Sequence, residues 1–310
     1  MSQLPRILVV GAINLDIAVE VDRLPKEGET LIGRRLTLAP GGKGANQAVA
    51  AAKLGAFAAF CGRVGNDEWG RLATGRLSQS GVNTTALIID REKPTGAAII
   101  HVEPGGQNQI TAVGGANLGV IPADVDRMLT SASKLNAVML TLETPLDTVR
   151  YVIRRCMELK IPTVLDAAPP ATYPLVMLRG VTVISPNQTE AAALTGVEVK
   201  SLDEARAAAI KLREGTGAPH VIMKLGEQGA LWLSDEGELH VPAHRVTAID
   251  ATAAGDAFTA ALTVEWCRTN NLSAALRYAC AAGAIAVTKL GAQASLPTDD
   301  EVRRMQVTAA

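Results

Sequence analysis

The chain predicts a three-layer α/β architecture: a mostly parallel sheet with helices on both faces, plus a small inserted β-sheet. Three observations lead there. Short apolar runs alternate with longer runs of helical periodicity, the pattern of successive βαβ units. Two segments break that pattern, alternating apolar and polar residues with no crossover helix between them. The composition completes the case: of 310 residues, 48% are hydrophobic and 20% charged, enough apolar material for a substantial core.

The strand candidates are residues 7–10, 58–61, 137–142, 163–165, 181–184 and 221–224. Helical patterns cover 45–54, 68–79, 146–159, 190–194 and 202–213, and the Ala-rich stretch 274–286, interrupted by Arg277, reads as a buried helix. Aromatic residues make up only 3%, so Ala, Val, Leu and Ile must fill the core. The exceptional segments are 15–38 (Ile17, Val19, Val21, Leu31, Ile32, Leu36) and 97–113 (Ile99, Ile100, Val102, Ile110), with turns at Pro25, Gly28, Gly105 and Gly106. They are expected to form an accessory sheet inserted into a single domain spanning 1–310. An apolar sheet face seeks cover, which makes this sheet a candidate lid or dimer surface.

Composition also excludes. A net charge of −1 argues against nucleic-acid binding by bulk electrostatics, while leaving room for a local basic phosphate pocket. Cys61, Cys156, Cys267 and Cys280 form no C-x-x-C pair and fit reduced thiols in a cytoplasmic protein. His240 and His244 are separated by Pro242, which denies them a common helix face. No secretory signal and no membrane span are expected.

In open parallel sheets, ligands bind beyond the carboxyl ends of the strands. Polar residues gather at those predicted ends: Asn14 and Asp16, Glu143, Asp166, Asn187, and Lys224-Leu225-Gly226. Together they suggest one shared crevice. Two Gly-rich segments stand out beside them. In Asp250-Ala251-Thr252-Ala253-Ala254-Gly255-Asp256, small residues and a helix start offer unpaired N–H groups to an anion, with Asp256 aimed at whatever they hold. An acid in an ordinary first helical turn explains the same residues. In Gly41-Gly42-Lys43-Gly44-Ala45-Asn46, glycines let backbone press against a compact polar ligand, and Asn46 suits a hydroxyl; a simple turn is the alternative. The segment is no Walker A motif, and Gln47 stands where a dinucleotide fingerprint needs its third glycine. Asn187 and Glu190 read either as a capping box or as ligands for hydrated Mg²⁺ and phosphates.

These segments, in this order, resemble the PfkB-type carbohydrate kinases, and within that family the ribose-phosphorylating branch with its ribokinase-like fold. The resemblance runs from Asn14-Leu15-Asp16 through residues 41–48, Glu143, Asn187-x-x-Glu190, the 224–229 turn and residues 250–256 to the loop 286–295. It implies transfer of the ATP γ-phosphoryl group to the 5-hydroxyl of ribose. Asp256 would be the base, and the amides of Ala253, Ala254 and Gly255 the anion hole. Such a reaction needs positioning and charge stabilisation above all. The resemblance assigns the sugar to Asn14, Asp16, Gly42, Lys43, Asn46 and Glu143. It assigns ATP to Asn187, Lys224, Gly226, Gly229, Gly255 and Cys280, and Mg²⁺ to Glu190 through water. It further implies K⁺ held by Asp250, Thr252, Ala286, Lys289, Gly291 and Ser295, and a homodimer built through the lid strands. Ala251, Gln188, Cys280 and Asp166 depart from residues common in the family. Competing readings are a kinase for deoxyribose, a nucleoside or another small sugar, a catalytically silent sensor, and an NAD-dependent oxidoreductase.

Overall fold

The structure, a computed structural model, describes residues 4–104, 108–131 and 134–308; the turn glycines Gly105 and Gly106 lie outside them. The strands are β1 (Arg6–Val10), β2 (Asn14–Glu20), β3 (Arg35–Gly41), β4 (Phe57–Gly65), β5 (Asn83–Asp90), β6 (Gly96–Val102), β7 (Asn108–Val113), β8 (Ala137–Thr141), β9 (Thr163–Asp166), β10 (Val183–Ser185), β11 (His220–Lys224), β12 (Ala230–Ser234) and β13 (Gly237–Val241). The helices are α1 (Lys43–Lys53), α2 (Glu68–Gln79), α3 (Pro122–Ser131), α4 (Leu146–Glu158), α5 (Gln188–Thr195), α6 (Leu202–Thr216), α7 (Ala254–Thr269), α8 (Leu272–Ala286), α9 (Ala292–Ser295) and α10 (Asp299–Thr308).

Alternate residues of β1 show why the sheet is covered on both faces. Ile7 and Val9 enter one apolar cluster with residues of α1, α7 and α8, whereas Leu8 and Val10 enter another with α4 and α6. The first cluster is Ala-rich, with Ala260, Ala261, Ala279 and Ala282 where α7 and α8 pack. Small side chains let those helices approach closely, as a chain short of aromatics requires.

The main sheet has nine strands in the order β13-β12-β11-β10-β9-β8-β1-β4-β5. From β11 through β5 every pairing is parallel, and at one edge β12 alone is reversed, pairing antiparallel with both β11 and β13. This order sets the carboxyl ends of β11, β10, β9, β8 and β1 in a row, so the polar strand-end residues line one crevice.

A second sheet has the order β3-β2-β6-β7. Strands β2 and β3 are the ends of the predicted segment 15–38, and the residues between them are not strand. The helix expected over 190–194 begins earlier, at Gln188, because Asn187 caps it. Among the described residues no helix is long and apolar enough to cross a membrane.

Candidate active site

The two Gly-rich segments meet. Asn46 in the first turns of α1 donates Nδ2–H to Asp256 Oδ2 at 2.9 Å, and Gln47 donates to Asp256 Oδ1 at 3.1 Å. Asn46 Oδ1 is buried and unpartnered, an acceptor in reserve for a ligand hydroxyl.

The glycines of this segment sit in close backbone contacts. Gly42 has φ +88°, and a Cβ there would lie 2.6 Å from the Ala12 carbonyl oxygen; a Cβ on Gly44 would lie 2.7 Å from Gly11 Cα. Their bareness lets the start of α1 press against the chain's own β1–β2 connection. Gly41 does serve the pocket, since a Cβ there would collide with the Asp16 carboxylate.

Helix α7 opens on Ala253 with left-handed φ +61° and no side-chain cap. Its first amides therefore have no side-chain acceptor, and the positive end of the helix faces the crevice. Asp256, in its first turn, is 4% exposed. Burial raises the Asp256 pKa, Lys43 opposes that, and Asp166 adds to it. A carboxylate tuned upward is a stronger proton acceptor once ionised.

Strand ends supply the remaining charges. Burial, reinforced by Asp256 and opposed by Lys43, lifts Asp16 to about 6. Burial likewise lifts Glu143 to about 7, with Lys43 opposing; the Lys43 backbone N–H donates to Glu143 Oε2 at 2.9 Å. Burial works against the Lys43 ammonium, but Asp256, Asp166, Glu143 and Glu190 outweigh it and hold the group charged. Asp166 sits at the centre. It accepts from Lys224 Nζ at 2.6 Å, Gln47 Nε2 at 2.8 Å and Thr259 Oγ1 at 3.2 Å. Gln47, notable in the sequence only as a missing glycine, thus bridges Asp166 to Asp256. Recognising that bridge requires knowing that β9 lies beside β8 and over α7.

Two cavities flank the start of α7. One of about 400 Å³ is polar, with Lys43, Asp166, Asn187, Glu190, Lys224 and Asp256 on its walls. The other, about 610 Å³, takes Gly226, Gly229, Phe258, Cys280, Ala284 and Val287, an apolar slot suited to a flat ring. Lys224 and Gly255 belong to both.

The capping box at Asn187 and Glu190 is present: Glu190 N–H donates to Asn187 Oδ1 at 2.8 Å, and Asn187 N–H to Glu190 Oε2 at 2.7 Å. Glu190 also lines the polar cavity, so it can hold a hydrated cation from its capping position. Among the described residues no group of three or more His, Cys, Asp or Glu forms a metal cluster; a cation here would take water and phosphate oxygens as its other ligands. Just before the start of α7, Asp250 accepts from the Thr252 N–H and hydroxyl at 2.9 and 2.6 Å and from the Gly291 N–H at 2.8 Å. This joins Asp250 and Thr252 to the turn carrying Ala286, Lys289 and Gly291. The Lys289 ammonium pairs with Glu301, leaving that residue's backbone to the turn, and the buried Ser295 hydroxyl donates to the Ala292 carbonyl. Carboxylate, hydroxyl and carbonyl oxygens fit a hard monovalent cation.

A buried carboxylate, an uncapped helix start, a polar cavity and an apolar slot meet in one crevice, the arrangement expected of a phosphotransferase acting on a polyhydroxy acceptor. The comparisons with known proteins agree. The family model for pfkB family carbohydrate kinases matches residues 4–299, and the chain belongs to that family. It is 36% identical to the ribokinase of Haemophilus influenzae, over 94% of this chain and 95% of that one. It is also 36% identical to the deoxyribokinase of Salmonella typhimurium, over 95% and 96%. The structure of Arabidopsis thaliana ribokinase complexed with ribose and ATP superimposes with a TM-score of 0.90 at 32% identity, covering 98% of this chain and 99% of that one.

Proposed function

We propose that this carbohydrate kinase transfers the γ-phosphoryl group of ATP to the 5-hydroxyl of D-ribose, giving ribose 5-phosphate and ADP. The observation that carries the reading is the 2.9 Å bond from Asn46 to Asp256, which joins a hydroxyl-binding segment to a base at an uncapped helix start. Ribose would lie on Asn14, Asp16, Gly42, Lys43, Asn46 and Glu143. Its 5-hydroxyl would give its proton to Asp256 as the oxygen attacks phosphorus, while the amides of Ala253, Ala254 and Gly255 receive the charge of the migrating phosphoryl group. Lys43 and Lys224 add fixed positive charge to the same cleft. ATP would place its base against Cys280 in the apolar slot and its phosphates by Asn187, Lys224, Gly226, Gly229 and Gly255.

Mg²⁺ would be held through water by Glu190, offsetting phosphate charge. K⁺ would be held by Asp250, Thr252, Ala286, Lys289, Gly291 and Ser295, fixing the turn behind the anion hole. The second sheet, carrying Asn14 and Asp16, would act as the lid over the sugar and as the surface of a homodimer. The protein would work in the cytoplasm.

The equal identity to a deoxyribokinase supports 2-deoxyribose as the second reading. Coupled ADP release across pentoses, hexoses and nucleosides, with and without K⁺, separates the two. Ribose is expected to give the highest kcat/KM. A higher value for 2-deoxyribose would favour the second reading, and no ADP release with any sugar would defeat both.

A further inference from the structure

Asn117 lies in the Gly114–Gly119 connection that leaves the second sheet after β7, and it is 1% exposed. Its amide forms a two-way pair with one backbone position. Oδ1 accepts the Ile13 N–H at 3.0 Å, and Nδ2 donates to the Ile13 carbonyl at 3.2 Å. Because a backbone N–H can only donate and a carbonyl only accept, this pair fixes which end of the Asn117 amide faces which way. The same Nδ2 donates to Asn14 Oδ1 at 2.8 Å. Asn14 must therefore turn its oxygen toward Asn117, which leaves its Nδ2 for a ligand.

Asn14 and Asp16 share one face of β2. In register beside Asn14 lie Gly41 on β3 and Gly96 on β6. A Cβ on Gly96 would collide with Asn14 Oδ1 and Asn117 Nδ2, as one on Gly41 would with the Asp16 carboxylate. The two glycines keep this face clear around a donor, Asn14 Nδ2, set beside an acceptor, Asp16. That pairing matches two neighbouring hydroxyls, one accepting and one donating.

We infer that Asn117 is a positioning residue that dictates which end of the Asn14 amide meets the substrate, and thereby how the site discriminates a sugar with adjacent hydroxyls from one lacking a member of the pair. The inference rests on the sugar-site reading above. Asn117→Ser removes the donor to Asn14. Asn117→Asp keeps an acceptor for the Ile13 N–H but presents an acceptor to Asn14 as well, so the Asn14 amide is free to reverse.

The test measures KM and kcat for ribose and 2-deoxyribose in wild type, Asn14→Ala, each Asn117 variant and each double variant. Either Asn117 variant is expected to raise the ribose KM roughly tenfold, the scale of one buried polar group left unpaired, with kcat changed far less. The preference for ribose over 2-deoxyribose should narrow. In the Asn14→Ala background the same Asn117 change should move KM less than about twofold, because partners acting through one contact are not additive. Using two variants guards against a folding failure in one. An equal KM effect in both backgrounds, or an unchanged ribose KM, overturns this inference alone. A wild type that does not turn over ribose overturns the functional reading with it.

Discussion

Asp256 and Asp16 are both acids in a crowded, buried pocket, and their chemistry separates their tests. Asp256 has partners that matter for proton transfer, so Asp256→Asn should lower kcat by roughly 10²–10⁴, the scale of a lost general base. Turnover near wild type in steady-state assays would remove Asp256 from that role. Asp16 makes a stability prediction instead. Its pKa of about 6 in the fold exceeds the ordinary 3.8, chiefly through burial, so the folded protein holds this proton more tightly than the unfolded chain does. The resulting stabilisation is complete below about pH 3.8 and is lost as pH rises through about 6. At pH 8 the ionised carboxylate then costs the ligand-free fold on the order of 3 kcal/mol. Asp16→Asn should consequently melt higher than wild type at pH 8, with the gap closing toward pH 4, while ribose KM rises. A melting difference independent of pH would contradict the burial argument.

Helix starts divide into two kinds here. Helix α5 is closed by the reciprocal Asn187–Glu190 cap, whereas α7 begins bare at Ala253. The first arrangement holds an acid in place, and the second sets no side chain over its first amides, of which Ala254 N–H bonds the Ala251 carbonyl at 3.2 Å. Asn187→Ala should cost about 1 kcal/mol of stability, the worth of a side-chain cap. It should also raise the KM for MgATP, since Glu190 loses the Asn187 Nδ2–H bond of 2.8 Å that orients it toward the cleft. An unchanged urea midpoint would show that the cap contributes nothing. Both kinds of helix start were legible in the sequence, because capping and small-residue runs are local signals. The alternating segments of the second sheet were legible for the same reason. Strand β5 and the β12–β13 hairpin were not: β5 opens on the polar run Asn83-Thr84-Thr85, which hides its apolar alternation, and Trp232 and Leu239 give the hairpin only a partial alternation. Gln47, Asp166 and Asn117 owe their contacts to partners 58 to 119 positions distant in sequence, or further, which no local pattern encodes. At Gly42 and Gly44, bareness signals close approach without saying to what.

The second sheet ties the site to the whole molecule. Its face bearing Asn14 and Asp16 turns toward the crevice. The opposite face carries Ile17, Val19, Ile99, Leu36 and Leu38 in register across β2, β3 and β6. Leu36 and Leu38 are 63% and 51% exposed, and Val113 on β7 is 49% exposed. Contiguous apolar side chains on a sheet face seek a second surface, and a two-fold copy of the same face is the simplest one available. Pairing two such sheets would also hold each β2 steady over its own sugar, linking assembly to substrate binding. Leu36→Glu with Leu38→Glu places like charges at the centre of that contact, so sedimentation should find wild type as a dimer and the double variant as a monomer. Because neither residue lies on the face of Asp16, the variant should keep kcat within a few-fold while its ribose KM increases, the signature of a loosened lid. A monomeric wild type, or a double variant that still sediments as a dimer, would place the assembly surface elsewhere.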